Sequence, residues 1–213
     1  MMPVIQNIKY SGINIFMIDQ DIIQTASNNL KQAFENRTEH TKDFSTVHNV
    51  FSQNVLNKVH NYILNDSDKV WTLETTSSGE EMHIPRNKII WHSDTVIEEL
   101  HMAMESITPQ VQKVLDNPVN FVGIILWQDY ENYKIDWHTD NPILMATIQI
   151  YLAGSKKNPG TEFELNEGEY HNCEFIPNTG YFLNQTERRL RHHTTGSVPP
   201  NVSRYSLFGM WQN

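Results

Sequence analysis

Beyond about Asn120 the chain breaks into six short runs, FVGIILWQ, ATIQIYLA, TEFELN, CEFIP, GYFLN and SRYSLFGMW, each rich in β-branched and aromatic residues. The clusters DNP, KKNPG, NEGEY, PNTG and SVPPN separate them. Gly, Pro and Asn in such clusters adopt the turn angles that a strand cannot. Many short strands at close spacing imply a sandwich, a barrel or a jelly roll. The first half reads as mixed, with two helix candidates. Residues Asp19 to Asn36 put Ile22, Ile23, Ala26, Leu30, Ala33 and Phe34 at helical spacing. A second helix is expected from an N-cap at Ser93, with Val96, Ile97, Leu100, Met104 and Ile107 on one stripe and Pro109 ending or kinking it. Helices first and strands afterwards predict an α+β arrangement, with helices bracing one face of the sheet. The sequence shows no repeat, low-complexity tract or linker, so residues 1–213 are expected to form a single domain.

Within the strand-rich half, the motif WHTDN carries the chemistry. Positions two apart in a strand point to one side, so His138 and Asp140 can reach a single ion together. A third ligand must come from elsewhere. His192 and His193, in RLRHHTTGSV, lie 54 and 55 residues further on. Neighbouring strand residues face opposite ways, so only one of the two can serve, and a register slip of one residue exchanges them. Two histidines and a carboxylate occupy one face of an octahedral ion and leave positions open, the arrangement of non-haem Fe(II) oxygenases. Taken alone, HxD is a common pattern whose plainer reading is a surface His–Asp hydrogen bond. Its weight rises because VSRYSLFGMW follows: Arg204 can grip a carboxylate with a bidentate fork, and Ser206, two residues on, shares its face. Thr147, Gln149 and Tyr151 alternate in ATIQIYL and should also share a face.

From about Phe121 to Trp211 the sequence resembles the 2-oxoglutarate and Fe(II)-dependent dioxygenases of the prolyl 4-hydroxylase-like branch. The resemblance rests on the order and spacing of WHTDN, ATIQIYLA, PGTEF, FIPNTGYFLNQ and HHTTGSVPPNVSRYSLFGMW. It implies a double-stranded β-helix (jelly-roll) core over residues 119–213, with residues 1–118 as a mixed helical support. It implies Fe(II), 2-oxoglutarate and O2 as cofactor and co-substrates. It selects His138, Asp140 and His193 as metal ligands, makes Arg204 the partner of the distal carboxylate of 2-oxoglutarate, and matches Tyr151 to a position that contacts the same carboxylate. Ser206 and Gln149 join this co-substrate set on their shared strand faces. The implied reaction is hydroxylation of a peptidyl substrate, prolyl side chains included, or of a small-molecule substrate, with release of succinate and CO2. Two departures stand out. Pro159-Gly160-Thr161 replaces a frequent Gly-Gly pair, and QDYENYKIDWHTD lacks the glycine that often precedes HxD, which leaves Tyr130 and Tyr133 as pocket candidates only.

The remaining properties exclude competitors. A net charge of -9, from 25 acidic and 16 basic residues, argues against a broad phosphate-binding surface, since the basic cluster is confined to Arg188, Arg189 and Arg191. No apolar run reaches the roughly 20 residues that span a bilayer. The N-terminal stretch lacks the layout of a secretory signal, and Cys173 is the lone cysteine, so a cytoplasmic setting is expected. In CEF, Cys173 reads as a buried inert thiol. His40, His48, His60, His83, His92, His101 and His171 read as structural or exposed. The loops Thr75 to Glu81 and Ser155 to Gly160 are candidate lids. Two other readings compete: a non-catalytic jelly-roll module with a vestigial metal site, and a cupin-like metalloenzyme without a keto acid. Complete ligands plus Arg204 speak against both.

Overall fold

The computed structural model describes residues 19–64, 72–73, 86–90, 95–155 and 157–213. Helix α1 spans Gln20–Glu35, capped by Asp19, whose carboxylate accepts the backbone N–H groups of Asp21 and Ile22. It buries Ile23, Ala26, Leu30, Ala33 and Phe34, the stripe expected from the sequence. Strands β1 (Thr38–Thr41) and β2 (Phe44–His48) form a hairpin, and helix α2 (Gln53–Leu64) follows. Strands β3 (Thr72–Leu73) and β4 (Arg86–Ile90) precede helix α3 (Thr95–Glu105). The expected cap Ser93 and the expected loop Thr75 to Glu81 lie outside the described residues. Pro109 neither ends nor kinks α3. It opens helix α4 (Thr108–Leu115), where its missing N–H costs nothing because the first turn has no intrahelical acceptor. Among the described residues no helix is long and apolar enough to cross a membrane.

The strand-rich half comprises β5 (Asn120–Asp129), β6 (Leu144–Ala153), β7 (Thr161–Asn166), β8 (Glu169–Cys173), β9 (Thr179–Asn184), β10 (His192–Thr194) and β11 (Arg204–Gln212). The run CEFIP is not the strand expected there. Pairing with β7 begins at Glu169 and ends at Cys173, after a turn in which Gly168 takes φ +77°. Its residues Glu169, Tyr170 and Asn172 are exposed, which hid the strand from a reading based on apolar runs.

Among the described residues two antiparallel sheets result. The larger has eight strands in the order β1-β2-β9-β6-β11-β5-β4-β3, and the smaller has three in the order β10-β7-β8. This is the jelly-roll arrangement inferred from the resemblance. Along β6 the two-residue period divides the sheet's faces. Ala146, Ile148, Ile150 and Leu152 join the core beneath the helices, with Leu30, Phe34, Ile97, Met104, Leu207 and Trp211. Tyr151, on the opposite face, joins Phe44, Phe163, Phe175, Tyr181 and Leu183 between the sheets. The helices therefore brace one face of the large sheet and leave the other to face the small sheet, where the site lies.

Candidate metal centre and co-substrate pocket

Backbone pairing sets the site. His138 and His192 form an antiparallel bridge: His138 N–H donates to the His192 carbonyl at 3.0 Å, and His192 N–H to the His138 carbonyl at 2.9 Å. Directly opposed residues in such a pair point to the same side, so both imidazoles face the space between the sheets. Their ring centroids are 4.2 Å apart. Asp140 follows two residues after His138, and its Oδ1 lies 3.6 Å from His192 Nε2. One ligand atom from each of His138, Asp140 and His192 lies within 4.8 Å of the others.

The expectation for His193 fails on this register. His193 lies opposite Glu162 on β7, on the outer face of the small sheet, and its Nε2 is 3.0 Å from Glu162 Oε2. The ring of Trp137 covers it at 4.1 Å. The bridge puts His192, not His193, across from His138, and alternation along β10 turns the His193 imidazole toward Glu162, although the residue still contributes to the cavity wall.

Both inward imidazoles are oriented by the backbone. His138 Nδ1 is 2.8 Å from the Asp136 carbonyl, and His192 Nδ1 is 3.2 Å from the Leu190 carbonyl. A carbonyl only accepts, so Nδ1 carries the proton in each ring and the Nε2 lone pair is presented to the centre. Burial pushes the His192 pKa below its ordinary value, against the opposing pull of Asp140. The neutral, metal-competent form is thereby favoured. Asp140 is held by its other oxygen: Oδ2 accepts the Thr147 hydroxyl and Gln185 Nε2, each at 3.0 Å.

The three residues open on a cavity of about 140 Å³ whose walls include Trp127, Tyr133, Ile135, Gln149, Thr161, Tyr181, Arg204 and Phe208. Arg204 is 2% exposed. Its Nε donates to Asp129 Oδ2 at 2.7 Å and its Nη1 to the Pro159 carbonyl at 2.6 Å. Tyr133 and Phe175 face the guanidinium at 5.1 and 5.7 Å. The Ser155 to Gly160 loop, expected as a lid, thus supplies the carbonyl that holds Arg204. Gly160 is needed there, because a Cβ would sit 2.1 Å from the Cys173 carbonyl oxygen.

Of the expected co-substrate residues, Arg204 and Gln149 line the cavity, while Tyr151 and Ser206 stand one layer behind it. The Tyr151 hydroxyl is 2.8 Å from Thr161 Oγ1. Ser206 Oγ accepts from Gln149 Nε2 at 3.0 Å, and Gln149 Oε1 accepts from the Tyr181 hydroxyl at 2.6 Å. Burial raises the pKa of both tyrosines, so they remain protonated donors. Tyr133 lines the cavity, whereas Tyr130 caps a turn with its carbonyl. Asp129, Thr161, Tyr181 and Gln185 were not singled out from sequence. Asp129 closes the apolar strand β5 and Tyr181 lies within β9, a polar signal in apolar runs, whereas Thr161 opens the mixed strand β7 and Gln185 follows β9, where no such contrast marks them. Cys173 is buried and its thiol is pushed up to about 12, as suits an inert residue.

No protein-family profile matches the chain, and no curated protein matches it in sequence. Solved structures do match its fold. A Pseudomonas putida prolyl-4-hydroxylase superposes with a TM-score of 0.67 at 11% identity, over 88% of this chain and 99% of that one. A Trichoplax adhaerens prolyl hydroxylase, in complex with a hypoxia inducible factor peptide fragment, gives 0.61 at 13% identity over 91% of each chain. The α-ketoglutarate-dependent epimerase SnoN of nogalamycin biosynthesis gives 0.60 at 10% identity, over 89% of this chain and 82% of that one. The chain has the fold of the 2-oxoglutarate and Fe(II) oxygenases, of the prolyl 4-hydroxylase-like kind.

Proposed function

We propose that this chain is an Fe(II)- and 2-oxoglutarate-dependent oxygenase that hydroxylates a peptidyl side chain presented at the mouth of the cavity. One observation carries the reading: two imidazoles and a carboxylate open on the same small cavity as a buried arginine. The donor set fits a ferrous ion, since two neutral imidazoles and one carboxylate oxygen fill a single face of an octahedron. Arg204, with the Thr161 and Tyr181 hydroxyls on the same cavity, fits the distal carboxylate of a small dicarboxylic keto acid. Bound iron would activate O2, and 2-oxoglutarate would supply two electrons on its decarboxylation to succinate and CO2, one oxygen atom entering succinate and the other the substrate.

The protein's own residues hold and shield. His138, Asp140 and His192 present one ligand atom each. Asp129 and the Pro159 carbonyl aim the Arg204 guanidinium. Trp127, Ile135 and Phe208 keep the cavity apolar around the reacting centre, limiting competing reactions of the oxidant.

The cavity supports the peptidyl reading. At about 140 Å³ it lies well below the roughly 300–1,000 Å³ of sites that enclose a drug-sized ligand. A co-substrate would fill it, leaving the prime substrate to offer one carbon from outside. Related folds serve both a prolyl hydroxylase in complex with a peptide fragment and an epimerase of nogalamycin biosynthesis, so fold alone does not choose. Incubation with Fe(II), 2-oxoglutarate and O2 is expected to form succinate, and a peptide library to accelerate it with gain of one oxygen in the peptide. Turnover indifferent to 2-oxoglutarate would indicate the cupin-like alternative. Absence of both turnover and iron binding in folded protein would indicate a binding module.

A further inference from the structure

Asp140 is approached from behind by a directional relay. Arg189 Nη1 donates to Gln185 Oε1 at 2.9 Å. Arginine has no acceptor, so the Gln185 amide oxygen must face it and the NH2 group must face inward. That NH2 donates to Asp140 Oδ2 at 3.0 Å and to Thr147 Oγ1 at 3.2 Å. The Thr147 hydroxyl, its lone pair engaged, donates in turn to Oδ2 at 3.0 Å. Every bond runs the same way and ends on one carboxylate oxygen. Gln185 is 4% exposed, so water does not replace these donors cheaply. Arg189 also donates to the Asn141 and Pro142 carbonyls, directly after the HxD motif.

Resting on the reading of His138, Asp140 and His192 as an iron site, we infer that Gln185 and Arg189 are positioning residues that keep Asp140 monodentate. With Oδ2 saturated by two donors, Oδ1, the oxygen 3.6 Å from His192 Nε2, is the one presented to the metal. A carboxylate without such partners can bind an ion through both oxygens and occupy a further coordination position. The relay keeps that position for co-substrate or O2. Gln185 acts directly on Asp140, whereas Arg189 acts by fixing the orientation of the Gln185 amide.

Cobalt(II) is a suitable probe, because its visible bands report coordination number without turnover. The wild-type chain is expected to bind Co(II), and His138→Ala to lose it. Gln185→Leu should bind about 10–100-fold more weakly, with a changed spectrum. Arg189→Ala should shift both in the same direction by a smaller factor. The double variant should be no weaker than Gln185→Leu alone, because Arg189 works through Gln185. A purely structural Arg189, acting through the Asn141 and Pro142 carbonyls, would add its own loss in the double variant, which overturns its assigned role. Wild-type affinity and spectrum in both folded single variants overturn the proposal outright. If Gln185→Leu fails to fold, Arg189→Ala decides it by the same spectrum. If the wild type itself does not bind Co(II), the triad reading falls first and takes the relay with it.

Discussion

The two faces of the large sheet are built from the same strands by opposite chemistry. The helix-side face carries Ile148, Ile150, Leu152 and Leu207, whose packing demands only size and apolarity. The inner face carries Thr147, Gln149, Ser206 and Arg204, all buried and hydrogen-bonded to one another or to neighbouring strands. Burying so many polar groups contributes little net stability and loses much if one partner is removed. A protein retains such a face for what it holds. On the proposed reading, the helix-side face accounts for the fold and the inner face for the ligands.

Breaking the inner face at its charge pair should have the largest effect. Arg204→Met leaves the fully buried Asp129 without this guanidinium, at a cost of about 3–5 kcal/mol. The double replacement Arg204→Met with Asp129→Asn should recover most of the melting temperature while co-substrate affinity stays lost. Recovery of both would contradict a binding role for Arg204. On the outer face, Leu207→Ala should cost about 2–5 kcal/mol by opening a cavity beneath the helices. Metal affinity measured on the folded fraction should not change. Gln149→Ala should be milder, about 1–3 kcal/mol, because it strands the Tyr181 and Ser206 hydroxyls, and it should also weaken co-substrate binding. A denaturation series with ligand titrations on each variant separates these outcomes.

The smallest effect is expected outside the cavity lining, where the β1 strand meets β8. The rings of His40 and His171 lie against each other, tilted by 48°, with centroids 4.1 Å apart. Burial lowers both pKa values, and His48 and His40 respectively lower them further. The folded state therefore prefers both rings neutral. Their contribution is present above the ordinary histidine value near 6.5 and declines as pH falls through the lowered folded values. A His40→Gln, His171→Gln variant should show a shallower acid limb in its melting temperature than the wild type, and an unchanged limb would assign the acid sensitivity elsewhere.

The generic face was the more legible of the two from sequence. The stripes of α1 and α3 and the alternation of β6 follow from the periodicity of apolar residues, and the structure buries them as expected. Helix α2, outside the two helix candidates, buries Val55, Leu56, Val59 and Ile63 at helical spacing, so its stripe was legible as well. The β1–β2 hairpin escaped notice because β1 is short and exposed. At the site, the residue types of HxD and Arg204 announced their chemistry, but the choice between His192 and His193 did not. It depends on which residue the backbone places opposite His138, a long-range register that no local pattern encodes. Gln185 and Asp129 were hidden for a similar reason. Their roles exist only through partners 45 and 75 residues away.

On the proposed reading, His192 completes an iron site that chelates a keto acid beside Arg204. Anaerobic addition of Fe(II) and 2-oxoglutarate to the metal-free protein, followed by visible absorbance, tests it most directly. A charge-transfer band is expected in the wild type and in His193→Ala, absent in His138→Ala and His192→Ala, and weakened in Arg204→Met. A band that survives in His192→Ala but disappears in His193→Ala, or folded wild-type protein that shows none, would contradict the account.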